Sequence, residues 1–279
     1  MDPASETSAQ TRLGVFAGAG ELPLRVIENA MAQGYEVYVY ALDPKTERLC
    51  ETLVPKSRIR FLKRPACLDE NFRMGHADGL RQAVFAGKVS KWTLVKRPVF
   101  DQRTWALWQK QRQFNDDSMM LTLIREFEDE GITVLPQTDF MQGLFAPQGM
   151  YTRRKPTPEE QQDIAFGFDL AKEMGRLDVG QTVVVVNGMV LAVEAIEGTD
   201  QAIIRTQKWA RKKGGVVVKV EKPNQDTRFD VPTVGPRTLK SMKKAGLKVL
   251  AIEAGKTIVM EKDRLITLAD RWDMTVVGV

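Results

Sequence analysis

The sequence predicts an α/β protein of two domains, the first built on a doubly wound sheet. Three observations lead there. The apolar run Leu13 to Ala17 meets the turn Gly18-Ala19-Gly20-Glu21-Leu22-Pro23; a helix-like pattern then runs to Gly34, and Glu36 to Leu42 has the length of a second strand. At 279 residues the chain exceeds one small core and suits two. A stretch rich in Gly and Pro, from Gly143 to Pro158, separates the halves.

Each element follows from its local pattern. Met1 to Arg12 is polar with two acids, so residues 1–12 are expected to be a flexible arm and not a signal peptide. Residues 13–142 form the first domain. Within it a strand is expected over Arg58 to Leu62, a helix over about Asp78 to Phe85, and a turn at Gly87. Met120, Leu123, Ile124 and Phe127 share one helical face between Asp116 and Glu130. Asp116 or Asp117 can cap that helix, Gly131 can stop it, and a strand follows over Ile132 to Leu135. Residues 143–158, carrying Arg153, Arg154 and Lys155, are expected to be the linker.

Residues 159–279 supply the second domain. A helix from Glu159 to Met174 ends at Gly175. Strands Thr182 to Val186 and Met189 to Ala195 flank Asn187-Gly188, a strong hairpin signal because both residues tolerate positive φ. A helix over Asp200 to Arg211 and a strand over Gly215 to Val220 follow. The helix Pro236 to Ala245 has proline in its first turn and Gly246 after its end. Val249 to Glu253, Thr257 to Met260, a helix over Lys262 to Trp272 and a strand over Thr275 to Val277 complete the chain.

Composition excludes several kinds of chemistry. One histidine, His76, cannot build an HExxH zinc site, a multi-histidine centre or a strong Ser-His-Asp case. Two unclustered cysteines, Cys50 and Cys67, suit a reducing compartment, and with no span-length apolar run a cytoplasmic protein is expected. A catalytic metal would take oxygen ligands, which points to Mg²⁺ or Mn²⁺. The net charge of +5 is spread over clusters at Lys88 to Arg97, Arg153 to Lys155, Lys208 to Lys213 and Lys240 to Lys248. It fits solvated surface, an anionic substrate or an anionic membrane; no nucleic-acid motif accompanies it, so no nucleic-acid partner is expected.

The pieces that can carry chemistry are loops. Gly18 and Gly20, between strand and helix, suit a phosphate cradle, although Pro23 stands where a dinucleotide fingerprint needs glycine. Gly87-Lys88-Val89-Ser90 combines glycine, charge and hydroxyl at another turn. Asn115-Asp116-Asp117 holds one carboxylate more than capping needs. Glu194, Glu197, Thr199 and Asp200 gather after an apolar strand. In the loop from Lys222 to Pro236, Asp226, Arg228 and Asp230 alternate; if that loop is extended, all three side chains share a direction suited to a metal and a phosphoryl group.

Together these motifs resemble the LpxI family of UDP-2,3-diacylglucosamine pyrophosphatases. The resemblance runs from about Leu13 onward. It rests on Gly18-Ala19-Gly20-Glu21-Leu22-Pro23, Gly87-Lys88-Val89, Asp116-Asp117, Asp178-Val179-Gly180-Gln181, Glu194 with Glu197-Gly198-Thr199-Asp200, Lys222-Pro223, Gln225-Asp226, and Arg228-Phe229-Asp230-Val231-Pro232-Thr233-Val234-Gly235. Asn115 stands where the family often has glycine. The resemblance implies a Rossmann-like N-terminal half, a distinct α/β C-terminal half, and Mg²⁺-dependent hydrolysis to UMP and 2,3-diacylglucosamine 1-phosphate in lipid A synthesis. It also implies that water attacks the sugar-side phosphorus and that Asp230 is essential.

On this footing Asp230 and Arg228 are the expected catalytic residues, and Asp230, Glu194 and Glu197 the expected metal ligands. Lys222 is expected to join Arg228 on the phosphates. Substrate contacts are expected at Gly18, Gly20, Leu22, Pro23, Gly87, Val89, Asp116, Asp117, Gln181, Gly198, Thr199, Asp200, Thr233 and Gly235. Leu144, Phe145, Ala146, Met150 and Tyr151 are expected to wall an acyl site in a cleft between the halves. Transient contact with the inner membrane surface and a homodimer are also expected. Two other readings stay open: an NAD-linked oxidoreductase and a non-catalytic nucleotide-sugar-binding protein.

Overall fold

The computed structural model describes residues 10–88, 100–110, 116–210 and 214–279. The chain forms two compact units. One runs through Met141 and includes Thr227–Phe229; the other comprises Gln142–Asp226 and Asp230–Val279.

In the first unit, β1 (Arg12–Ala17), β2 (Glu36–Ala41), β3 (Ile59–Phe61), β4 (Gln82–Ala86) and β5 (Thr133–Val134) form a parallel sheet in the order β3-β2-β1-β4-β5. Around it lie α1 (Leu22–Ala32), α2 (Pro44–Cys50), α3 (Leu68–Ala77), α4 (Gln102–Lys110) and α5 (Asp116–Asp129). Buried strands such as Leu13–Ala17 are continuously apolar because both faces are covered. The core is aromatic: the Phe16 ring stacks on Tyr40 at 4.8 Å and meets Phe127 edge-on at 4.9 Å. The buried Tyr40 hydroxyl donates to Asp78 Oδ2 at 2.7 Å, and Asp78 also pairs with Arg60 at 2.6 Å.

The expected helix over Asp78 to Phe85 is corrected here. The helix is α3, and Gln82–Ala86 is the strand beside β1. Gly79, at φ 71°, carries the chain out of α3. A short run such as Ala83-Val84-Phe85-Ala86 has no period that separates a buried strand from a buried helix.

The second unit has one mixed sheet in the order β6-β13-β11-β9-β7-β8. Its strands are β6 (Gly149–Met150), β7 (Thr182–Val186), β8 (Met189–Val193), β9 (Val216–Lys219), β11 (Val249–Ile252) and β13 (Thr275–Gly278). Strands β9, β11 and β13 are parallel, whereas β7 runs antiparallel to β9. Two further strands, β10 (Thr233–Val234) and β12 (Ile258–Val259), pair with each other. The helices are α6 (Pro158–Arg176), α7 (Thr199–Arg205), α8 (Gln207–Ala210), α9 (Pro236–Ala245) and α10 (Lys262–Arg271).

One face of the sheet buries Val184, Val217 and Leu250 against Ile203, Leu239, Met242 and Leu265. The other buries Val183, Val185 and Val218 against Ile164 and Ala171 of α6. Each of the valine, leucine, isoleucine and methionine side chains stabilises the fold by about 1.5–3 kcal/mol relative to exposure. The Asn187-Gly188 turn has φ of 49° and 71°, as a two-residue hairpin requires. Asp163 of α6 accepts from both turn amides, at 2.8 and 2.7 Å.

Three further expectations change. Residues 143–158, expected as a linker, count within the second unit: Ala146 is buried in its core and β6 pairs with β13. Their prolines and glycines shape a packed loop. Gly175 lies inside the last turn of α6, not after it, and serves packing there: a Cβ would meet Lys222 Cα at 3.2 Å. The helix expected over Asp200 to Arg211 is broken at the fully buried Thr206, whose hydroxyl donates to the Ile203 carbonyl at 2.7 Å; Arg211 lies outside the described residues.

Burial also sets thiol chemistry. Cys50 is fully buried, which raises its thiol from 9.0 to about 11. Since burial favours the neutral thiol, its stabilisation is complete below pH 9 and fades as the pH climbs towards 11. The native chain is therefore expected to resist an aromatic disulfide reagent at about pH 8 and to titrate as two thiols only after unfolding. Rapid native labelling of Cys50 would contradict this.

Candidate functional site

In the first unit the strand order reverses between β1 and β4, the place where open α/β sheets present their loops to ligands. Both glycine motifs lie there, locked to each other. Ala19 N donates to the Lys88 carbonyl at 2.7 Å, Lys88 N to the Ala19 carbonyl at 2.9 Å, and Gly18 N to the Ala86 carbonyl at 2.8 Å. A Cβ on Gly18 would lie 2.6 Å from the Lys88 carbonyl oxygen, and one on Gly87 would lie 2.8 Å from Pro23 Cγ. Gly18 and Gly87 are thus required by loop-on-loop packing, and the Gly18 and Ala19 amides are already used. Gly20 differs: at φ 111° it faces open space just before Leu22 and Pro23 begin α1.

The second unit gathers polar groups where β7 begins and where β8 and β9 end. Gly180 turns the chain into β7, and its missing side chain is what admits the Glu194 backbone. Behind it, Gln181 is 7% exposed, and its Oε1 has no hydrogen-bond partner among the described residues. Glu194 follows β8; Thr199 donates its hydroxyl to Glu194 Oε1 at 2.9 Å. Lys219, at the end of β9 and 5% exposed, donates to Thr199 Oγ1 at 2.6 Å and lies 4.0 Å from Glu194 Oε2. An ammonium this buried is tolerated because carboxylate and hydroxyl face it.

Three residues on, Lys222 Nζ lies between two carboxylates. It donates to Asp178 Oδ1 at 2.7 Å and is 3.6 Å from Asp230 Oδ2. Asp178 and Asp230 both adopt φ of 54°, a left-handed conformation that Asp tolerates better than most residues. Their turns aim both carboxylates at one lysine. The Lys222 side chain is 10% exposed and that of Asp230 49%, so the cation is enclosed and the acid accessible.

The extended Asp226–Arg228–Asp230 array is corrected. The loop is made of turns, and φ at Asp230 is positive. Residues 227–229 pack in the first unit, where Arg228 Nη1 contacts Glu128 Oε1 at 3.2 Å and Phe229 enters the core. Asp230 belongs to the second unit with Lys222.

The other predicted residues are dispersed. Glu197 pairs with Arg205 at 3.1 Å, and Asp200 with Arg237 at 2.6 Å and Ser241 at 3.3 Å. Gly198, at φ 79°, opens α7. Thr233 donates to the Val231 carbonyl at 3.0 Å, and Gly235 leads into α9. Asp116 and Asp117 begin α5; their side chains, with Val89 and Asn115, lie outside the described residues.

Among the described residues no group of three His, Cys, Asp or Glu side chains is placed to hold a metal ion. The three residues expected on Mg²⁺ each lie beside a cation: Glu194 is 4.0 Å from Lys219, Glu197 3.1 Å from Arg205 and Asp230 3.6 Å from Lys222. Asp230 is the most exposed of the three, its side chain 49% exposed against 12% for Glu194 and 27% for Glu197, so its carboxylate is the one that can add a ligand to an ion carried by a diphosphate.

Sequence reasoning overlooked Lys219 and assigned no role to Asp178. The signal for Lys219 was a lone cation closing the valine run of β9, the strand-end position already recognised at Glu194. Among the described residues no helix is long and apolar enough to cross a membrane.

Comparison with known proteins covers nearly the whole chain. Residues 12–144 match the model of the LpxI N-terminal domain and residues 147–277 that of the LpxI C-terminal domain. The chain is 32% identical over 291 residues to the UDP-2,3-diacylglucosamine pyrophosphatase LpxI of Caulobacter vibrioides, covering 96% of this chain and 97% of that protein.

Proposed function

Because the chain belongs to the LpxI family, we propose that it hydrolyses the diphosphate of UDP-2,3-diacylglucosamine to UMP and 2,3-diacylglucosamine 1-phosphate, a step of lipid A biosynthesis, with Asp230 as the residue that handles water. The observation that carries the reading is the Asp178–Lys222–Asp230 arrangement.

The chemistry follows from charge. A diphosphate brings negative oxygens that must be neutralised while water approaches in line. Asp178 holds the Lys222 ammonium at 2.7 Å and so fixes it beside Asp230. Asp230, half exposed, accepts a hydrogen bond from water and orients it. Lys222 sets its positive charge against a phosphoryl oxygen. Mg²⁺, bound through Asp230 and the phosphates, would supply further neutralisation of phosphoryl charge. Lys219, donating to Thr199 Oγ1 at 2.6 Å, places a second, more buried ammonium at the end of β9.

The test is direct. Purified protein is incubated with UDP-2,3-diacylglucosamine, with Mg²⁺ or with a chelator, in ¹⁸O-water. UMP is expected to appear only with the metal, and the label to enter the lipid 1-phosphate, as attack on the sugar-side phosphorus requires. Absence of UMP under all conditions would refute the reading. Label in UMP would refute the direction of attack.

A further inference from the structure

We infer that Lys172 and Glu253 are positioning residues for the proposed hydrolysis: as one ion pair they clamp the backbone of Glu221 and so hold the next residue, Lys222, beside Asp178 and Asp230. The inference rests on the reading of Lys222 as the cation that faces a phosphoryl oxygen.

The need for a clamp follows from the backbone. β9 ends at Lys219, and Val220 N still donates to the Gln181 carbonyl at 3.0 Å. At Glu221 side chains take over. Glu221 N donates to Glu253 Oε2 at 2.7 Å, and Lys172 Nζ donates to the Glu221 carbonyl at 2.9 Å. The same ammonium donates to both Glu253 oxygens, at 2.9 Å each. One lysine and one glutamate thus satisfy both backbone groups of a single residue while neutralising each other. Their side chains are only 28% and 15% exposed, so solvent and salt screen this pair less than a surface one.

The origin of the two groups sets the direction of the brace. Glu253 follows β11, the strand beside β9. Lys172 and Gly175 lie three residues apart in α6, on one helical face, and Asp178 follows the helix end. Lys172 grips the residue before Lys222, Gly175 admits the Lys222 Cα, and Asp178 accepts from its ammonium. The lysine is therefore fixed at its preceding residue, its Cα and its charge by the end of one helix. Such fixing matters for a group that acts on a reacting phosphate, where a displacement of about 1 Å can cost roughly a hundredfold in rate. The pair Lys256–Glu221, at 3.0 Å, differs: it meets the Glu221 side chain, and Lys256 is 53% exposed.

The test is a cycle of substitutions in the full chain. UMP release is followed in a single turnover, with protein in excess over UDP-2,3-diacylglucosamine, so that slow variants still give rates. Rates are referred to the folded fraction measured by circular dichroism. Lys172→Met is expected to slow release about tenfold or more. Glu253→Gln, which removes the opposing charge at nearly constant volume, is expected to slow it as well. Lys256→Met is expected to leave it unchanged. In a chain already slowed by Lys222→Met, adding Lys172→Met is expected to change the rate by less than about twofold, because the brace no longer holds a group that acts. A merely structural role would give the same loss in both backgrounds, and that result overturns the inference. Loss in Lys222→Met with none in Lys172→Met and Glu253→Gln overturns the inference and leaves the reading of Lys222 standing. Full release by Lys222→Met overturns both.

Discussion

Asp230→Asn is expected to stop UMP release while leaving the fold in place. The substitution is chosen for its backbone. Asp230 has φ of 54°, which asparagine adopts at least as readily as aspartate, so only the charge is removed. Lys222 keeps its 2.7 Å hydrogen bond to Asp178, and no buried cation is stranded. The amide presents one weak acceptor where a carboxylate presented two charged ones, and it cannot orient water or meet a metal in the same way. A loss on the order of 10³ in kcat is expected, the scale of removing a group that acts at the transition state. Thermal unfolding should move by no more than about 2 °C, as for a change of well under 1 kcal/mol. Activity within tenfold of the unsubstituted chain would remove Asp230 from the chemistry. Asp230→Ala would be a poorer test, because alanine adds a backbone penalty in the left-handed region.

Gly180→Ala is expected to cost stability and activity together. A Cβ at this position falls on the backbone carbonyl of Glu194, which cannot swing aside as a side chain can. Relief requires the start of β7 and the end of β8 to separate, at the point where Glu194 N donates to the Thr182 carbonyl at 2.8 Å. The cost should reach about 3 kcal/mol, the upper range for overpacking a tight site. The same displacement moves Glu194 away from Thr199 and Lys219, so UMP release should fall as well. Gly198→Ala is the matched control. Gly198 faces open space but has φ of 79°, so its substitution is expected to cost only about 1 kcal/mol, from backbone conformation. Urea unfolding distinguishes the two; equal midpoints for Gly180→Ala and the unsubstituted chain would show that the approach to Glu194 is not tight.

Much of the architecture was legible in order along the chain. Continuous apolar runs mark strands buried on both faces, as in Leu13–Ala17 and Thr182–Val186. Asn187-Gly188 predicts its hairpin because few other pairs adopt two successive positive φ values. The failures were also physical. Ala83-Val84-Phe85-Ala86 is too short to show a period, and its place beside β1 is fixed by a neighbour distant in sequence. Thr206 breaks a helix that local pattern would continue, because its side chain is buried and bonds back to Ile203.

The site was legible as residue types and not as partners. The motif Asp178-Val179-Gly180-Gln181 stands out in the sequence, but its meaning lies in residues more than ten positions away: Lys222 for Asp178 and the Glu194 backbone for Gly180. Glu194, Glu197 and Asp200 looked like one acid cluster because they are adjacent in sequence. In the fold each turns to a different cation, Lys219, Arg205 and Arg237. Arg228 and Asp230 are two residues apart, yet one pairs with Glu128 in the first unit and the other lies by Lys222 in the second.

By itself the sequence determined the two α/β layers, the glycine turns, the single histidine that rules out whole classes of chemistry, and the family. These depend on local backbone preference and on residue type, which any stretch of chain carries with it. Only the tertiary structure decided which carboxylate meets which cation, and why Gly18, Gly87 and Gly180 must lack a side chain. Those are contacts between segments far apart in the chain, set when the sheets close and the space between strands is shared out.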